Sequence, residues 1–365
     1  MQQRWDKISA WLREQQADAA FIHTTPNVFY LSQFFCHPHE RLLRLFIFPE
    51  AEPFLVCPQM EVASARNAGW KNPVLGYDDV QNPWEMIASE LAKRSVSAHA
   101  TVAIEKEQLS YSRVEQLQAV IPHARFVSAD EPLNRLRLIK DAGEIKLLRE
   151  AAAIADYGVE VGISALKQGC SEMEVVARIE WEMKKKGIHE MSFSTTVLFG
   201  GKTAFPHGTP ALAPLQPGDL VLFDLGVVLD GYCSDITRTV GFRSVNEQQQ
   251  QIYETVLKAQ QKALEQCRTG TIMGDLDRAA RSVISDAGYG EFFPHRLGHG
   301  LGIDVHEYPS INETNDSPLQ AGMVFTVEPG IYIQGLGGVR IEDDVLITRE
   351  GCETLTRFPK ELQII

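Results

Sequence analysis

Asp224, Asp235, His299, Glu328 and Glu342, in the C-terminal part of a 365-residue chain, are the side chains whose types and settings most directly suggest chemistry. Four carboxylates and one imidazole suit a pair of divalent cations such as Mn²⁺, Co²⁺ or Zn²⁺ better than one closed structural zinc site. Two such cations generate hydroxide from water near neutral pH and polarise a carbonyl, so the chemistry expected is hydrolysis. Each of the five residues lies in a short apolar or glycine-rich run that reads as a strand or a strand end.

In the segment 223–239, FDLGVVLDGYCSDITRT, ten residues separate Asp224 from Asp235. If 220–225 and 234–240 pair as antiparallel strands, the two aspartates share a face. An aspartate buried in an apolar strand is costly unless it is paired or binds a cation. For either aspartate alone, a turn position or an ion pair with Arg238 is the plainer alternative. In GHGLGIDVHE (298–307), glycines flank His299 and leave room for a metal or a backbone to come close. His306, seven residues on, can face the same cavity, where a second imidazole suits proton transfer near pH 7. Glu328 ends one apolar strand just before Pro329, and Glu342 ends another. Arg340 falls on the same side of that second strand as Glu342 and can orient a ligand carboxylate or hold substrate, with an ordinary ion pair as the alternative. Asp343 and Asp344 read as solvated rather than ligating. His207, between Pro206 and Gly208 in AFPHGTP, reads as a loop histidine.

Positioning these residues requires a particular order of elements. Residues 1–132 alternate short apolar runs (19–23, 43–48, 54–58, 101–104, 125–127) with helical patterns (59–68, 83–94). That order predicts a smaller α/β domain with a mixed sheet. The segment 130–140 reads as the connector to a second domain, residues 133–365. There the pattern predicts a long helix from Asp141 to Lys167, then a helix capped by Ser171 and Glu174 and ending at Gly187. Strands follow over 195–199, 220–225 and 236–242, then helices over 246–267 and 274–287, then strands to the end. Helix–helix–strands thus occurs twice, over 141–242 and 246–350, with no sequence identity between the halves. Two such halves packing their sheets together predict an α+β domain with a crevice between them, and the five ligands come from both.

Composition narrows the function classes. A net charge of −13 argues against a sequence-independent nucleic-acid surface and against attraction to anionic membranes. The start, MQQRWDKISAWLREQQ, reads as an amphipathic surface helix rather than a signal core. Asp224 interrupts the most apolar stretch, 220–229, which predicts no membrane span. Six cysteines are scattered without a CxxC pair, which predicts reduced thiols and a cytoplasmic location.

The order D-x10-D, HG-LG-x3-HE, EPG and R-x-ED, with PHG at 206–208 and HRLGHG at 295–300, resembles that of the pita-bread metallopeptidases. More narrowly, it resembles the prolidase and aminopeptidase P group of Xaa-Pro peptidases. The resemblance covers the whole chain and implies a pita-bread catalytic domain behind a creatinase/prolidase-like N-terminal domain. It implies two divalent ions per chain, Mn²⁺ foremost, with Co²⁺ or Zn²⁺ as alternatives. Asp224 would bind one ion, Asp235 and Glu342 would bridge both, and His299 would bind the other. Glu328 would help ligate it and act as general base. His207 and His306 would contact the peptide carbonyl and stabilise the tetrahedral intermediate or shuttle a proton. His295 would line the proline pocket, and Arg340 would support the ligands or the substrate. In this group dimerisation can bring N-terminal residues to the neighbouring active site. That makes a homodimer the expected assembly and Arg41, in CHPHERLLR (36–44), a candidate for meeting a substrate carboxylate. The substrates implied are Xaa-Pro dipeptides or proline-containing peptides. A non-catalytic pita-bread binding protein and a methionine aminopeptidase-like exopeptidase are the alternatives. The intact ligands argue against the first and the large N-terminal domain against the second. Dipeptidase against aminopeptidase stays open, with the shorter chain leaning to the dipeptidase.

Overall fold

Short apolar runs such as AAFI, RLFI and TVAI, too continuous for a half-solvated strand, suit strands covered on both faces. The computed structural model, which describes residues 2–365, builds them into one six-stranded sheet. Its order is Val74–Tyr77, Phe54–Pro58, Arg44–Ile47, Ala19–Ile22, Thr101–Ile104, Arg125–Ser128. Arg44–Ile47 runs antiparallel to both neighbours and every other pairing is parallel, so the sheet is mixed. This sheet belongs to the first of two compact units, which ends at Arg137; the second is Leu138–Ile365. The helices Thr25–Ser32 and Tyr111–Val120 carry weak periodicity and do not stand out from the sequence. Residues 130–140, read above as a connector, instead contain the helix Asp130–Leu138. It is bound into the first unit by Tyr30 donating to the Leu136 carbonyl (2.8 Å) and Arg137 donating to Asn27 Oδ1 (3.1 Å).

The second unit opens with the helix Ala142–Ala165, capped by a reciprocal box between Asp141 and Glu144. Ser171 and Glu174 form the same box at the start of Glu172–Lys185, as their spacing predicts. Three antiparallel strands follow, ordered Ile236–Gly241, Leu220–Leu225, Thr196–Phe199. The pattern then repeats. Asn246 and Gln249 cap Glu247–Leu264, Met273–Asp286 follows, and a five-stranded antiparallel sheet contains Gly298–Gly300, Val324–Val327 and Asp343–Ile347.

The first helix lies close on its sheet because it presents glycine there. A Cβ on Gly162 would come 2.7 Å from the Phe223 ring, and one on Gly158 would come 2.8 Å from Leu225. Phe223 and Leu225 therefore face the helix, and strand alternation turns Asp224 to the opposite face. The two halves meet along a seam on that side. Glu342 N–H donates to the Thr237 carbonyl (3.1 Å), and Arg340 N–H donates to Thr239 Oγ1 (3.3 Å).

Candidate metal centre

Thr237 is the residue around which the site is organised, and it lies directly opposite Asp224 in the ladder. Asp235, two residues before Thr237, shares its face by alternation. Thr237 Oγ1 donates to Glu342 Oε2 at 2.6 Å and accepts from Arg340 Nε at 2.9 Å. Arg340 Nη2 in turn reaches Asp224 Oδ2 at 2.5 Å. Residues more than a hundred positions apart are thereby held in one hydrogen-bonded group across the seam.

His299 enters from the other half. Its Nδ1–H donates to the Gly300 carbonyl (3.2 Å), which leaves the Nε2 lone pair facing the carboxylates. Nε2 lies 3.3 Å from Glu328 Oε1 and 3.8 Å from Asp235 Oδ2. The flanking glycines admit neighbouring backbone rather than an ion. A Cβ on Gly298 would sit 1.9 Å from the Thr326 carbonyl oxygen, and one on Gly300 would sit 2.3 Å from that of Tyr308. Asp235, His299 and Glu342 are all buried, and each offers one ligand atom within 4.8 Å of the others.

The electrostatics of this cluster call for a cation. Burial, reinforced by Glu342 and Asp224, drives the Asp235 carboxyl well above its ordinary range. Burial and the charges of Glu328 and Asp224 do the same to Glu342. Burial also pushes Glu328 up to about 7. Asp235 Oδ1 is buried with no hydrogen-bond partner. For His299, burial depresses the imidazole to about 3, so it is neutral and able to ligate. These residues fit divalent metal, which would satisfy the orphaned oxygen and offset the carboxylate repulsion.

The residues behind the centre correct one expectation. Asp343 and Asp344, read above as solvated, are completely buried. Asp343 accepts from Arg238 (2.7 Å), Lys360 (2.8 Å), Gln260 (2.7 Å) and Thr356 (2.9 Å). Asp344 Oδ2 accepts from the Asp235 N–H (3.1 Å) and so fixes the backbone at that residue. Of these two acids only Asp343 is compensated by cations, Arg238 and Lys360, which hold its carboxyl below the ordinary range despite burial; Asp344 Oδ1 is buried without a hydrogen-bond partner, and burial drives that carboxyl well up. Arg238, considered above as a partner for Asp224 or Asp235, is taken up by Asp343 instead.

Three histidines surround the cluster. The His306 ring lies edge-on to His299 with centroids 4.0 Å apart, and burial followed by the charge of Arg296 lowers its pKa. His295 has both nitrogens engaged. Nδ1–H donates to the Arg296 carbonyl (2.8 Å), and Nε2 accepts from the Tyr332 hydroxyl (2.9 Å). The same hydroxyl accepts from Arg340 Nη1 (3.0 Å), so His295 is linked through Tyr332 and Arg340 to Asp224. Burial holds His295 down at about 4. His207 is exposed, on a loop, and near enough for its charge to lower both His295 and His306. Arg41 belongs to the N-terminal unit, where Asp79 and Glu40 each pair with it at 3.1 Å. Sequence reasoning missed Thr237, Tyr332 and Arg296. Thr237 was findable, since it is two residues from Asp235 on the same strand face.

A two-half helix–strand fold with a buried carboxylate–imidazole cluster across its seam defines a metal-dependent hydrolase of the pita-bread class. The chain belongs to metallopeptidase family M24, whose model matches residues 146–349, and the Creatinase/Prolidase N-terminal domain matches residues 4–139. It is 59% identical over 362 residues to the "Putative dipeptidase YkvY" of Bacillus subtilis (strain 168), covering 99% of each chain. The prolidase from Pyrococcus horikoshii OT3 superposes with a TM-score of 0.91 at 36% identity, over 99% of this chain and 100% of that one. The Xaa-Pro dipeptidase from Bacillus anthracis superposes with a TM-score of 0.93 at 32% identity, over 100% and 99%. Among the described residues no helix is long and apolar enough to cross a membrane.

Proposed function

We propose that this chain is a dinuclear Xaa-Pro dipeptidase, hydrolysing the bond between an N-terminal residue and a C-terminal proline. The observation that carries the reading is the convergence of Asp235, His299 and Glu342 at ligand distance, with Glu328 beside His299. Similarity to a prolidase and an Xaa-Pro dipeptidase over nearly the whole of each chain supports the substrate class. Asp224, Asp235, His299, Glu328 and Glu342 would hold two divalent ions, Mn²⁺ foremost, with Asp235 and Glu342 between them. Bound there, such ions supply Lewis acidity toward a carbonyl oxygen and an acidified water.

The protein's own groups complete the reaction. Glu328 accepts the proton released by the attacking water and returns it to the proline nitrogen as the amide bond breaks. His306, beside His299, and His207, on its exposed loop, donate hydrogen bonds toward the oxygen on which charge develops. His295 cannot serve as a further donor, because both its nitrogens are engaged; it offers its ring to the proline ring. Arg340 holds Asp224 in place. Although burial lowers its pKa, Tyr332, Asp224 and Glu342 keep the Arg340 guanidinium above its ordinary value and therefore charged. Arg296, whose charge reaches both His306 and Glu328, is a candidate for the substrate's free carboxylate. Arg41 is the alternative for that role, where a homodimer would bring it to a neighbouring active site.

Two experiments test this reading. His306→Ala should retain both metals and lose roughly 10²–10⁴-fold in kcat, the range for a positioned proton-transfer or oxyanion group. His299→Ala should instead weaken metal binding. Metal titration of the two variants separates these roles, and the opposite pattern would exchange them. The second experiment compares hydrolysis of Ala-Pro, Ala-Pro-Ala, Ala-Ala and N-acetyl-Ala-Pro by the metal-loaded enzyme. A Pro-shaped pocket needs no partner for an N–H at the scissile nitrogen, so Ala-Pro should be cleaved much faster than Ala-Ala. Ala-Pro-Ala cleaved as fast as Ala-Pro would reassign the chain to the aminopeptidase branch. Equal rates on Ala-Ala and Ala-Pro would remove the Xaa-Pro reading altogether.

A further inference from the structure

We propose that Glu172, acting with Lys202, is the positioning residue for His207. The inference rests on the reading that His207 contacts substrate. Glu172 is the first residue of the helix Glu172–Lys185 and is 0% exposed. The helix has no need of it as a cap, since Ser171 and Glu174 already form a complete capping box. Its carboxylate is turned toward the segment 200–211, which carries His207.

One carboxylate there holds both ends of that segment. Oε1 accepts from the N–H of Phe199, the last residue of the strand leading into it, at 2.8 Å. Oε2 accepts from the N–H of Ala211, where the segment leaves, at 2.7 Å. Lys202 Nζ donates to the same Oε2 and also to the Thr209 carbonyl at 2.8 Å. Lys202 therefore links the entering strand of the loop to the departing one. The entering end has independent support, because Thr203 Oγ1 donates to the Gly200 carbonyl (2.6 Å) and accepts from the Gly338 N–H (2.7 Å). The departing end is held by Glu172, Lys202 and a backbone bond from Met173 N–H to the Ala211 carbonyl (3.2 Å), and four residues on by Leu215 N–H donating to the Cys170 carbonyl (2.8 Å). His207 lies between the two ends and is exposed. A buried carboxylate is expensive to desolvate and is only as good as the donors that meet it. Here every donor belongs to the loop or to the strand feeding it, so the carboxylate acts on where His207 stands.

Glu172→Gln keeps the shape but replaces one accepting oxygen by an amide N–H₂, which in either orientation opposes a donor: the Phe199 N–H, or the Ala211 N–H and Lys202. Lys202→Met removes the other half of the clasp at a part-exposed position, and serves if the first variant folds poorly. The test is a double-mutant cycle with His207→Ala, measuring kcat/KM on Ala-Pro with the metal-loaded enzyme, together with metal content and Tm. His207→Ala should lose about 100-fold, and Glu172→Gln and Lys202→Met about 10-fold each. Combined with His207→Ala, each clasp variant should add less than about twofold, because a group acting through His207 has nothing left to position. Lys202→Arg, which keeps a bridging cation, should restore most of the rate. Losses that multiply to about 1,000-fold in the double variant would overturn the proposal alone, since independent sites add in free energy. A His207→Ala variant at wild-type rate would overturn the reading of His207, and the proposal with it.

Discussion

Asp235→Asn should abolish stoichiometric metal binding and lower kcat by at least about 10³-fold, and Glu342→Gln should do the same. Both substitutions preserve size and remove the negative charge that would lie between two cations. They also carry an opposite effect on the metal-free protein. Asp235 and Glu342 are buried, and their carboxyls are driven far above their ordinary range by burial and by the charge of neighbouring carboxylates. A neutral amide relieves that repulsion, so the metal-free variants should be at least as stable as the metal-free parent. Metal content, kcat and Tm measured on the same preparations check this. A variant with normal metal content and near-parental turnover would show that its residue does not bridge.

Removal of metal from the parent protein is expected to abolish activity, restored by Mn²⁺ or Co²⁺, and to change how stability depends on pH. Without metal, Glu328 has a folded-state pKa of about 7 against an ordinary 4.5. Between those values the folded state holds a proton that the unfolded chain has released. The stabilisation is therefore fully present below about pH 4.5 and is lost as pH rises through about 7. At ~1.4 kcal/mol per pH unit, the loss from this group is on the order of 3 kcal/mol. Asp235 and Glu342, shifted in the same direction, add to the decline. Metal-loaded protein is spared, because a cation favours the ionised carboxylates. The Tm difference between loaded and metal-free protein should widen from pH 4.5 to above pH 7. A difference that stays constant across that range would refute the claim that burial and neighbouring charge raise these carboxyls in the metal-free state.

Much of the architecture was legible because its signals are local. The Ser171–Glu174 box is a four-residue pattern whose hydrogen bonds close within the pattern itself. Apolar runs such as LVLFDL need only their own alternation to place Asp224 on the face opposite Phe223 and Leu225. The five acidic and imidazole side chains were identifiable individually, since a carboxylate interrupting an apolar strand needs compensation whatever the fold.

What the sequence by itself determined, then, is which residues stand at strand positions and which chemical groups they bring. Only the tertiary structure decided who meets whom. Arg340 bonds Asp224 and Thr237, 116 and 103 residues away, and Arg238 bonds Asp343 across 105. Nothing near either arginine in the chain distinguishes these partners. In 342–344 three acids in a row read locally as one buried residue and two solvated ones. In the folded protein all three are buried: Arg238, Lys360, Gln260 and Thr356 converge on Asp343, the Asp235 N–H meets one oxygen of Asp344, and Thr237 Oγ1 meets Glu342. The glycines beside His299 follow the same logic. Their absent side chains make room for the carbonyls of Thr326 and Tyr308, a requirement set by neighbouring strands and not by the local run. Burial and pairing are properties of the whole fold, because a charge is stable inside only when distant segments bring its counter-charge and donors to it.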